Sequence, residues 1–233
     1  MPDLGADRRT DMTLPPGQRA LRGFPRFGKD LKNPPPPVPA DPVIKLVGAL
    51  AEDLTLPVKD LAGLPRREVR ADFHCVAGWS ATGLVWEGVG FRDFYREVVQ
   101  PALRPGALVS HLVFVGADGV RASVLLEDAL GEDVLLAERL DGEPLTGEHG
   151  APVRLVSPWQ YGYVNIKHLC RIEFHVTAPP PADRWSPLAA HSRARVWKEE
   201  RHRRLPGRVV RPLYRVLVAG IRAASARQGR KQG

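Results

Sequence analysis

The stretch that decides the fold runs from Asp72 to Ser80 and reads DFHCVAGWS. Apolar and polar side chains alternate over residues 69–75, which predicts one strand with Cys75 on its apolar face and His74 on the opposite face. A second stretch, residues 149–167, reads HGAPVRLVSPWQYGYVNIK and supplies a histidine, an arginine and a lysine. One thiol and several cations in two separate stretches make these the candidate functional residues.

Length and composition indicate one folded domain. The chain has 233 residues, 43% of them hydrophobic, which is enough for one core. No apolar run approaches the roughly 18 residues that span a membrane. Two cysteines cannot form a disulfide framework, so we expect a reducing cytoplasm. The pair Arg8-Arg9 lacks the apolar segment of an export signal, because prolines and Arg19 interrupt it.

The charge is concentrated in the C-terminal part of the chain. The net charge is +8, but residues 182–233 hold 14 Lys or Arg and only 3 Asp or Glu. The basic character therefore concerns where the protein docks and not how it folds. We expect no nucleic acid as a partner, because these arginines lack interleaved aromatic residues and no recognition motif accompanies them.

Turn and strand signals predict an α+β fold with a strand majority. Residues 1–42 form an irregular, proline-rich lead-in, and residues 43–177 form the folded domain. We predict strands near residues 43–47, 134–140, 153–156 and 171–176, and a hairpin of residues 108–115 and 120–126.

Helices are predicted in two places. The spacing of Phe91, Phe94, Tyr95 and Val98 predicts a short amphipathic helix over residues 91–99. Residues 178–233 form a basic helical extension in which five residues trace a helical stripe: Leu213, Val216, Leu217, Gly220 and Ile221.

Two interpretations of this extension stay open. It packs on the domain with solvated arginines, anchored by Trp197 and Leu205, or it offers a basic amphipathic surface to anionic lipid or an acidic protein. The lipid interpretation concerns residues 206–233 and places the protein at the membrane periphery.

Considered without any family, Cys75 has a plain interpretation as a small buried hydrophobe. A zinc site from His168, Cys170 and His175 is disfavoured, because their spacing suits a strand and no CxxC is present. The chain also lacks a GxSxG elbow, a P-loop and a GxGxxG turn. A phosphate-bearing cofactor would therefore be held by other groups.

The two stretches, in this order, resemble the molybdopterin-binding domain of the sulfite oxidase family, and the resemblance covers residues 43–176. It implies a strand-rich domain that binds a molybdenum–molybdopterin cofactor, with Cys75 as the metal ligand. A soft thiolate suits molybdenum. The resemblance further implies cofactor contacts from His74, His149, Arg154, Asn165, Ile166 and Lys167. The hairpin near Val115, Gly116 and Asp118 matches a further position that touches the pterin.

The chain departs from the full-length sulfite oxidases in two ways. The residues after Thr177 are too few for the second, dimerisation domain, and no haem domain is present. The arginine that follows the metal cysteine in sulfite enzymes is replaced here by Ser80. The pattern is closer to the short bacterial members of the family, some of which reduce sulfoxides.

Three functions follow from the resemblance and the basic extension. The first is a sulfite oxidase-like oxidoreductase that transfers an oxygen atom and two electrons. The second reduces an S-oxide or N-oxide such as methionine sulfoxide, and the third is a non-catalytic module that binds the cofactor or docks on membranes. Both enzymes would act on a small oxyanion or oxide and need a separate electron-transfer protein carrying haem, flavin or an iron–sulfur centre.

Overall fold

The computed structural model describes residues 14–26, 34–180, 190–214 and 216. These residues form thirteen strands: β1 (Ala20–Leu21), β2 (Val43–Gly48), β3 (Leu54–Pro57), β4 (Arg66–Arg70), β5 (Phe73–His74), β6 (Ser80–Ala81), β7 (Val85–Gly90), β8 (His111–Gly116), β9 (Arg121–Leu125), β10 (Leu135–Leu140), β11 (Glu143–Pro144), β12 (Arg154–Val156) and β13 (Leu169–His175). The strand majority of the α+β prediction is confirmed.

Helices are short, as the sequence predicts. The segment predicted at residues 91–99 is α1 (Phe91–Phe94), continued by a π-helical turn at Tyr95–Val99 and a 3-10 turn at Gln100–Ala102. A second helix, α2 (Leu126–Ala129), follows β9, and 3-10 turns lie at Val58–Gly63 and Gly147–His149. Residues 207–214 are helical. Within the described ranges, no helix has the length and apolar character to cross a membrane.

Two five-stranded sheets organise the domain. One has the order β3-β2-β13-β8-β9, with β2 and β13 parallel and its other pairs antiparallel. The other runs β11-β10-β7-β4, and β12 also pairs with β10. The predicted hairpin is β8 and β9. Its first strand begins at His111 and not at Leu108, which is 83% exposed and does not pair with β9.

A third, small sheet joins the lead-in to the cysteine stretch. Its order is β1-β6-β5, and Ala20 and Leu21 pair in parallel with Ser80 and Ala81. Sequence reasoning predicted an irregular lead-in, so this pairing is a correction for residues 20–21. Tertiary contact with β6 explains it, since two residues carry no strand signal of their own. Residues 1–13 and 27–33 of the lead-in lie outside the described residues.

The single strand predicted over residues 69–75 is wrong. The strand β4 ends at Arg70 and pairs with β7, whereas β5 pairs with β6 in the small sheet. The chain bends between them because Asp72 Oδ1 accepts the Gly83 amide at 2.8 Å and Ala71 donates to the Leu84 carbonyl at 2.9 Å. His74 and Cys75 are consequently both buried, at 7% and 5% exposure, and do not lie on opposite polar and apolar faces.

The core has two parts. The larger cluster packs α1 and the β8–β13 sheet around residues such as Phe91, Phe114 and Ile172, each fully buried. The smaller cluster contains Cys75 with Trp79, Trp86 and the partly buried Phe24 and Phe73 against it. The cysteine therefore sits in the wall of an aromatic-rich core, between the small sheet and the β7–β10 pair.

The C-terminal extension packs on the domain, but through other residues than predicted. Trp197 and Leu205 are each 49% exposed, so neither is the expected anchor. Val196 and Arg201 are buried instead, and Val210 and Tyr214 cover the inner face of the helix at residues 207–214. Of the predicted stripe, Leu217, Gly220 and Ile221 lie outside the described residues.

Candidate functional site

A tight loop presents Cys75 at the end of β5. The Cys75 amide donates to the Trp79 carbonyl at 2.8 Å, and the Gly78 amide donates to the Cys75 carbonyl at 2.9 Å. Gly78 has a φ of 95°, a left-handed conformation that favours glycine and lets the chain return into β6. The loop thus fixes the backbone on both sides of the thiol.

Burial raises the pKa of the Cys75 thiol to about 12, and the positive charge of Arg201 opposes that rise. A metal ion takes a thiolate ligand and releases its proton, so binding of a metal would reverse the effect of burial. Without such a partner, this cysteine is held as a neutral thiol among apolar residues.

Hydrogen bonds between polar side chains connect the lead-in to the cysteine loop. Gln18 Nε2 donates to the Cys75 carbonyl at 3.1 Å, and Ser80 Oγ donates to Gln18 Oε1 at 3.1 Å. His74 Nδ1 lies 2.7 Å from the same Ser80 oxygen. Because the single hydroxyl proton of Ser80 goes to Gln18, the His74 ring is the donor at Nδ1. Burial lowers the pKa of His74, so a neutral imidazole is favoured.

Arg154 is a fully buried cation at the start of β12. Its Nη1 donates to the His149 carbonyl at 2.9 Å and its Nη2 to the Asn165 carbonyl at 3.1 Å. The guanidinium carbon lies 5.1 Å from the centre of the Trp86 ring and 5.7 Å from that of Phe73, within cation–π range.

Within the described residues, Arg154 forms no ion pair with a carboxylate. Burial lowers its pKa to about 9. An unpaired buried charge is costly, and an anionic ligand would offset that cost. The residue therefore fits the binding of a phosphate group.

Lys167 adds a second cation to the same place. Its Nζ donates to the Glu148 carbonyl at 2.6 Å. Burial lowers its pKa to about 7, and the charges of Arg154 and Arg26 lower it further. Arg26 comes from the lead-in. The positive charges of three residues from distant parts of the chain therefore act on one another here. We refer to Arg26, Arg154 and Lys167 as the cationic pocket.

The remaining predicted cofactor residues shape the pocket through the backbone. Asn165 Oδ1 accepts the Ser157 amide at 2.7 Å. Its Nδ2 donates to the carbonyls of Ser157, Gln160 and Tyr161. Ile166 is buried and its carbonyl accepts the Leu155 amide at 2.8 Å. His149 Nε2 donates to the Phe24 carbonyl at 2.9 Å, and its ring stacks on Phe24.

The structure brings the two predicted stretches together. The Gly162 amide donates to the His74 carbonyl at 2.8 Å, and a Cβ at Gly162 would lie 2.2 Å from Phe73 Cζ. Phe73 in turn packs on both Trp79 and Phe24, at ring distances of 5.8 and 4.8 Å. The cysteine loop and the cationic pocket are therefore two ends of one site, joined by aromatic rings.

Four contributors to the site were not among the predicted site residues. Phe24 and Arg26 lie in the proline-rich lead-in, where no periodicity marks them, and Gln18 looks like any solvated residue. Arg201 lies in the basic extension, whose many arginines hide the buried one.

The zinc candidates have separate partners. His168 Nδ1 lies 2.8 Å from the Ala151 carbonyl oxygen, Cys170 Sγ donates to the Val115 carbonyl at 3.5 Å, and His175 Nε2 lies 3.3 Å from Glu173. The hairpin predicted to touch the pterin lies against this segment, because the Ala117 amide donates to the His168 carbonyl at 2.8 Å. Asp118 acts electrostatically on Lys167.

These features define a class of protein. A strand-rich fold with a buried cysteine and a group of buried cations fits a sulfite oxidase-like, molybdopterin-dependent oxidoreductase. Residues 34–182, well over half of the chain, match the family described as the oxidoreductase molybdopterin binding domain. The chain belongs to this family, and the family's domain binds molybdopterin.

Relatives among curated sequences agree in class. The chain is 31% identical over 203 residues to the uncharacterized oxidoreductase YuiH of Bacillus subtilis, covering 85% of this chain and 97% of that protein. It is 29% identical over 163 residues to the protein-methionine-sulfoxide reductase catalytic subunit MsrP of Gluconobacter oxydans, covering 63% of this chain and 50% of that protein. The match therefore spans only about half of the MsrP relative.

A solved structure shares the fold. The sulfane dehydrogenase SoxCD of Paracoccus pantotrophus superposes with a TM-score of 0.55 at 24% identity, over 67% of this chain and 44% of that chain. At this identity the similarity concerns the fold alone. It confirms the predicted sulfite oxidase-like architecture of the domain.

Proposed function

We propose that this protein reduces an S-oxide in a two-electron reaction that depends on molybdopterin. The relation to MsrP, a protein-methionine-sulfoxide reductase by name, is the observation that carries this choice of substrate. The reaction converts the sulfoxide, two electrons and two protons into a thioether and water. When bound, the molybdenum cofactor supplies the two-electron redox change and the oxygen-atom transfer.

The residues of the chain have distinct parts in this proposal. Cys75 holds the metal through its thiolate, and the loop closed by Gly78 keeps the sulfur in place. The cationic pocket binds the anionic phosphate of the pterin, with Arg154 as its fully buried member. Arginine suits this task because its planar fork of donors matches phosphate oxygens.

Three further residues fix the backbone near that phosphate: His149, Asn165 and Ile166. The carbonyls of His149 and Asn165 orient the Arg154 guanidinium at 2.9 and 3.1 Å. His74, bonded to Ser80, holds the backbone next to the metal ligand. These residues position the cofactor and take no part in proton transfer in this proposal.

Sulfite oxidation is the second candidate. The position that carries an arginine in sulfite enzymes is Ser80, which is fully buried and bonded to His74 and Gln18, so it faces no substrate. Arg201 nevertheless brings a guanidinium close enough to Cys75 to affect its pKa. A cation beside the metal ligand is the feature that favours an oxyanion substrate.

Steady-state assays discriminate between the two. Loaded enzyme would be assayed with methionine sulfoxide and a reduced viologen dye, and with sulfite and ferricyanide, beside Cys75→Ala as the control. S-oxide reduction that is lost in Cys75→Ala supports the proposal. Turnover of sulfite alone would establish the second candidate, and no turnover of either by molybdenum-loaded protein would leave the non-catalytic cofactor module.

We further propose that electrons arrive from a separate protein carrying haem, flavin or an iron–sulfur centre, and that the C-terminal helix docks on an anionic lipid surface. The helix exposes Val209, Leu213 and Val216 at 62%, 52% and 72%, spaced four and three residues apart. Exposed Arg204 and Arg208 flank this stripe. Apolar residues beside arginines fit the interface of an anionic bilayer.

A further inference from the structure

Arg201 lies outside the matched family domain yet reaches the cysteine loop. The domain match ends at residue 182, and Arg201 belongs to the C-terminal extension. Its side chain is 1% exposed. Its Nη1 donates to the carbonyl of Val76, the residue directly after Cys75, and its Nη2 donates to the Pro16 carbonyl at 3.2 Å. The guanidinium carbon lies 4.9 Å from the centre of the Tyr161 ring.

Charge pairing does not explain why this arginine is buried. Its ion pair within the described residues is with Glu199 at 3.8 Å, and Glu199 is bound more closely by Arg211, at 2.5 Å and 2.6 Å. Arg201 Nε is buried without a hydrogen-bond partner. Burying a guanidinium under these conditions costs free energy. The two donors that do find partners, Nη1 and Nη2, bind backbone carbonyls of the cysteine loop and of the lead-in.

The segment that carries Arg201 is fixed to the second stretch. The Tyr161 amide donates to the Ala194 carbonyl at 2.9 Å, and the Val196 amide donates to the Trp159 carbonyl at 3.0 Å. Gln160 Nε2 donates to the Arg193 carbonyl at 2.7 Å. The extension therefore adds its own backbone pairing to the 159–161 loop and delivers Arg201 from a defined position.

We propose that Arg201 is a positioning residue for the metal ligand: it clamps the loop after Cys75 to the lead-in. A hydrogen bond from an ionised donor is stronger than a neutral one, so this contact fixes the backbone directly after Cys75. The inference rests on the role of Cys75 in the proposed function. It assigns part of the C-terminal extension to the site itself.

Hydrogen exchange in cofactor-free protein tests the clamp without the metal. The amides of Cys75 and Gly78, both bonded within the loop, would be followed in Arg201→Met and Arg201→Lys. We expect exchange at least tenfold faster in Arg201→Met. We expect it at least threefold faster in Arg201→Lys, because lysine carries all its donors on one nitrogen and cannot reproduce the spread fork of Nη1 and Nη2. Central amides of β13 should keep their protection, which separates local opening from global unfolding.

The matched control is Arg193→Met, since Arg193 belongs to the same extension but pairs with Asp128 and Glu127. Its loop amides should exchange within twofold of wild type. Loop exchange within twofold of wild type in the folded Arg201 variants, or equal acceleration in Arg193→Met, would overturn the clamp. The conservative lysine variant carries this test if the methionine variant does not fold.

A spectroscopic measurement tests the role toward the metal. In loaded protein with equal molybdenum content, Arg201→Lys should shift the Mo(V) electron paramagnetic resonance signal, whereas Arg193→Met should not. A spectrum identical to wild type in Arg201→Lys would contradict positioning of the ligand. Wild-type protein without molybdenum would instead contradict the proposed function, and the exchange result would be unaffected.

Discussion

The backbone amide of Gly162 donates to the carbonyl oxygen of His74 at 2.8 Å, and this bond joins the cysteine loop to the segment that forms the cationic pocket. The two residues are far apart in sequence. The Phe73 ring lies against the backbone of Gly162 and leaves no room for a side chain there. Cys75 and the cationic pocket are consequently tied together through the backbone.

Gly162→Ala should damage this frame. An added Cβ would lie 2.2 Å from Phe73 Cζ, and Phe73 is held by neighbouring rings. We expect a loss of roughly 1–3 kcal/mol in the free energy of unfolding, measured by urea denaturation, together with reduced molybdenum content. Gly63→Ala is the control, because nothing lies within 4 Å of its Cβ position. Equal stability of the two variants would contradict the close packing.

Arg154→Met should separate cofactor binding from folding. The methionine fills the aromatic surroundings without the buried charge, so the free energy of unfolding should fall by no more than about 1–2 kcal/mol. Molybdenum content of the purified protein should fall at least tenfold. Arg121→Met, which removes a half-exposed partner of Glu173, serves as the control and should load normally. Normal loading of Arg154→Met would remove Arg154 from the phosphate site.

Lys167 gives the cationic pocket a pH dependence. Its pKa is lowered to about 7, mainly by burial, so its ammonium is present below that pH and lost above it. In cofactor-free protein, sulfate should raise the melting temperature more at pH 6 than at pH 8.5, because sulfate stays fully ionised throughout. Lys167→Met should lose this difference, whereas Lys45→Met on β2 should keep it. The same pH dependence in Lys167→Met would assign it elsewhere.

The exposed stripe of the C-terminal helix predicts lipid binding. Val209→Ser combined with Leu213→Ser should reduce sedimentation with phosphatidylserine vesicles at least fivefold, because both side chains are more than half exposed. Leu108→Ser, at an exposed residue of the domain, is the control. Vesicle binding that is absent in wild type, or unchanged in the double variant, would contradict docking through this helix.

Local patterns predicted much of the fold. The amphipathic spacing at residues 91–99 and the turn at residues 117–119 predicted a helix and a hairpin that the structure contains. The single strand predicted from the alternation over residues 69–75 is wrong. Alternation of apolar and polar residues does not reveal that Asp72 bonds Gly83 and bends the chain. The sequence motifs named Cys75 and Arg154 as candidates, and the structure brings both against Phe73 and its neighbouring rings.

Long-range contacts account for what the sequence did not predict. Arg201 meets Val76 across 125 residues and Pro16 across 185. Phe24 meets His149 across 125 residues. No local periodicity encodes such pairs, and Pro16, Phe24 and Arg201 lie in segments whose composition indicates solvated chain. The packing of the described parts of the lead-in and the extension around the cysteine loop therefore follows from tertiary contacts alone.

Molybdenum and pterin analysis of protein purified from a host that makes molybdopterin tests the central claim most directly. Wild type and Cys170→Ala should each contain about one molybdenum per chain, because the Cys170 thiol donates to the Val115 carbonyl and lies outside the cysteine loop. Cys75→Ala should retain the pterin but lose the metal or its redox activity. Equal metal content and activity in Cys75→Ala, or a wild type that contains neither molybdenum nor pterin, would contradict the account.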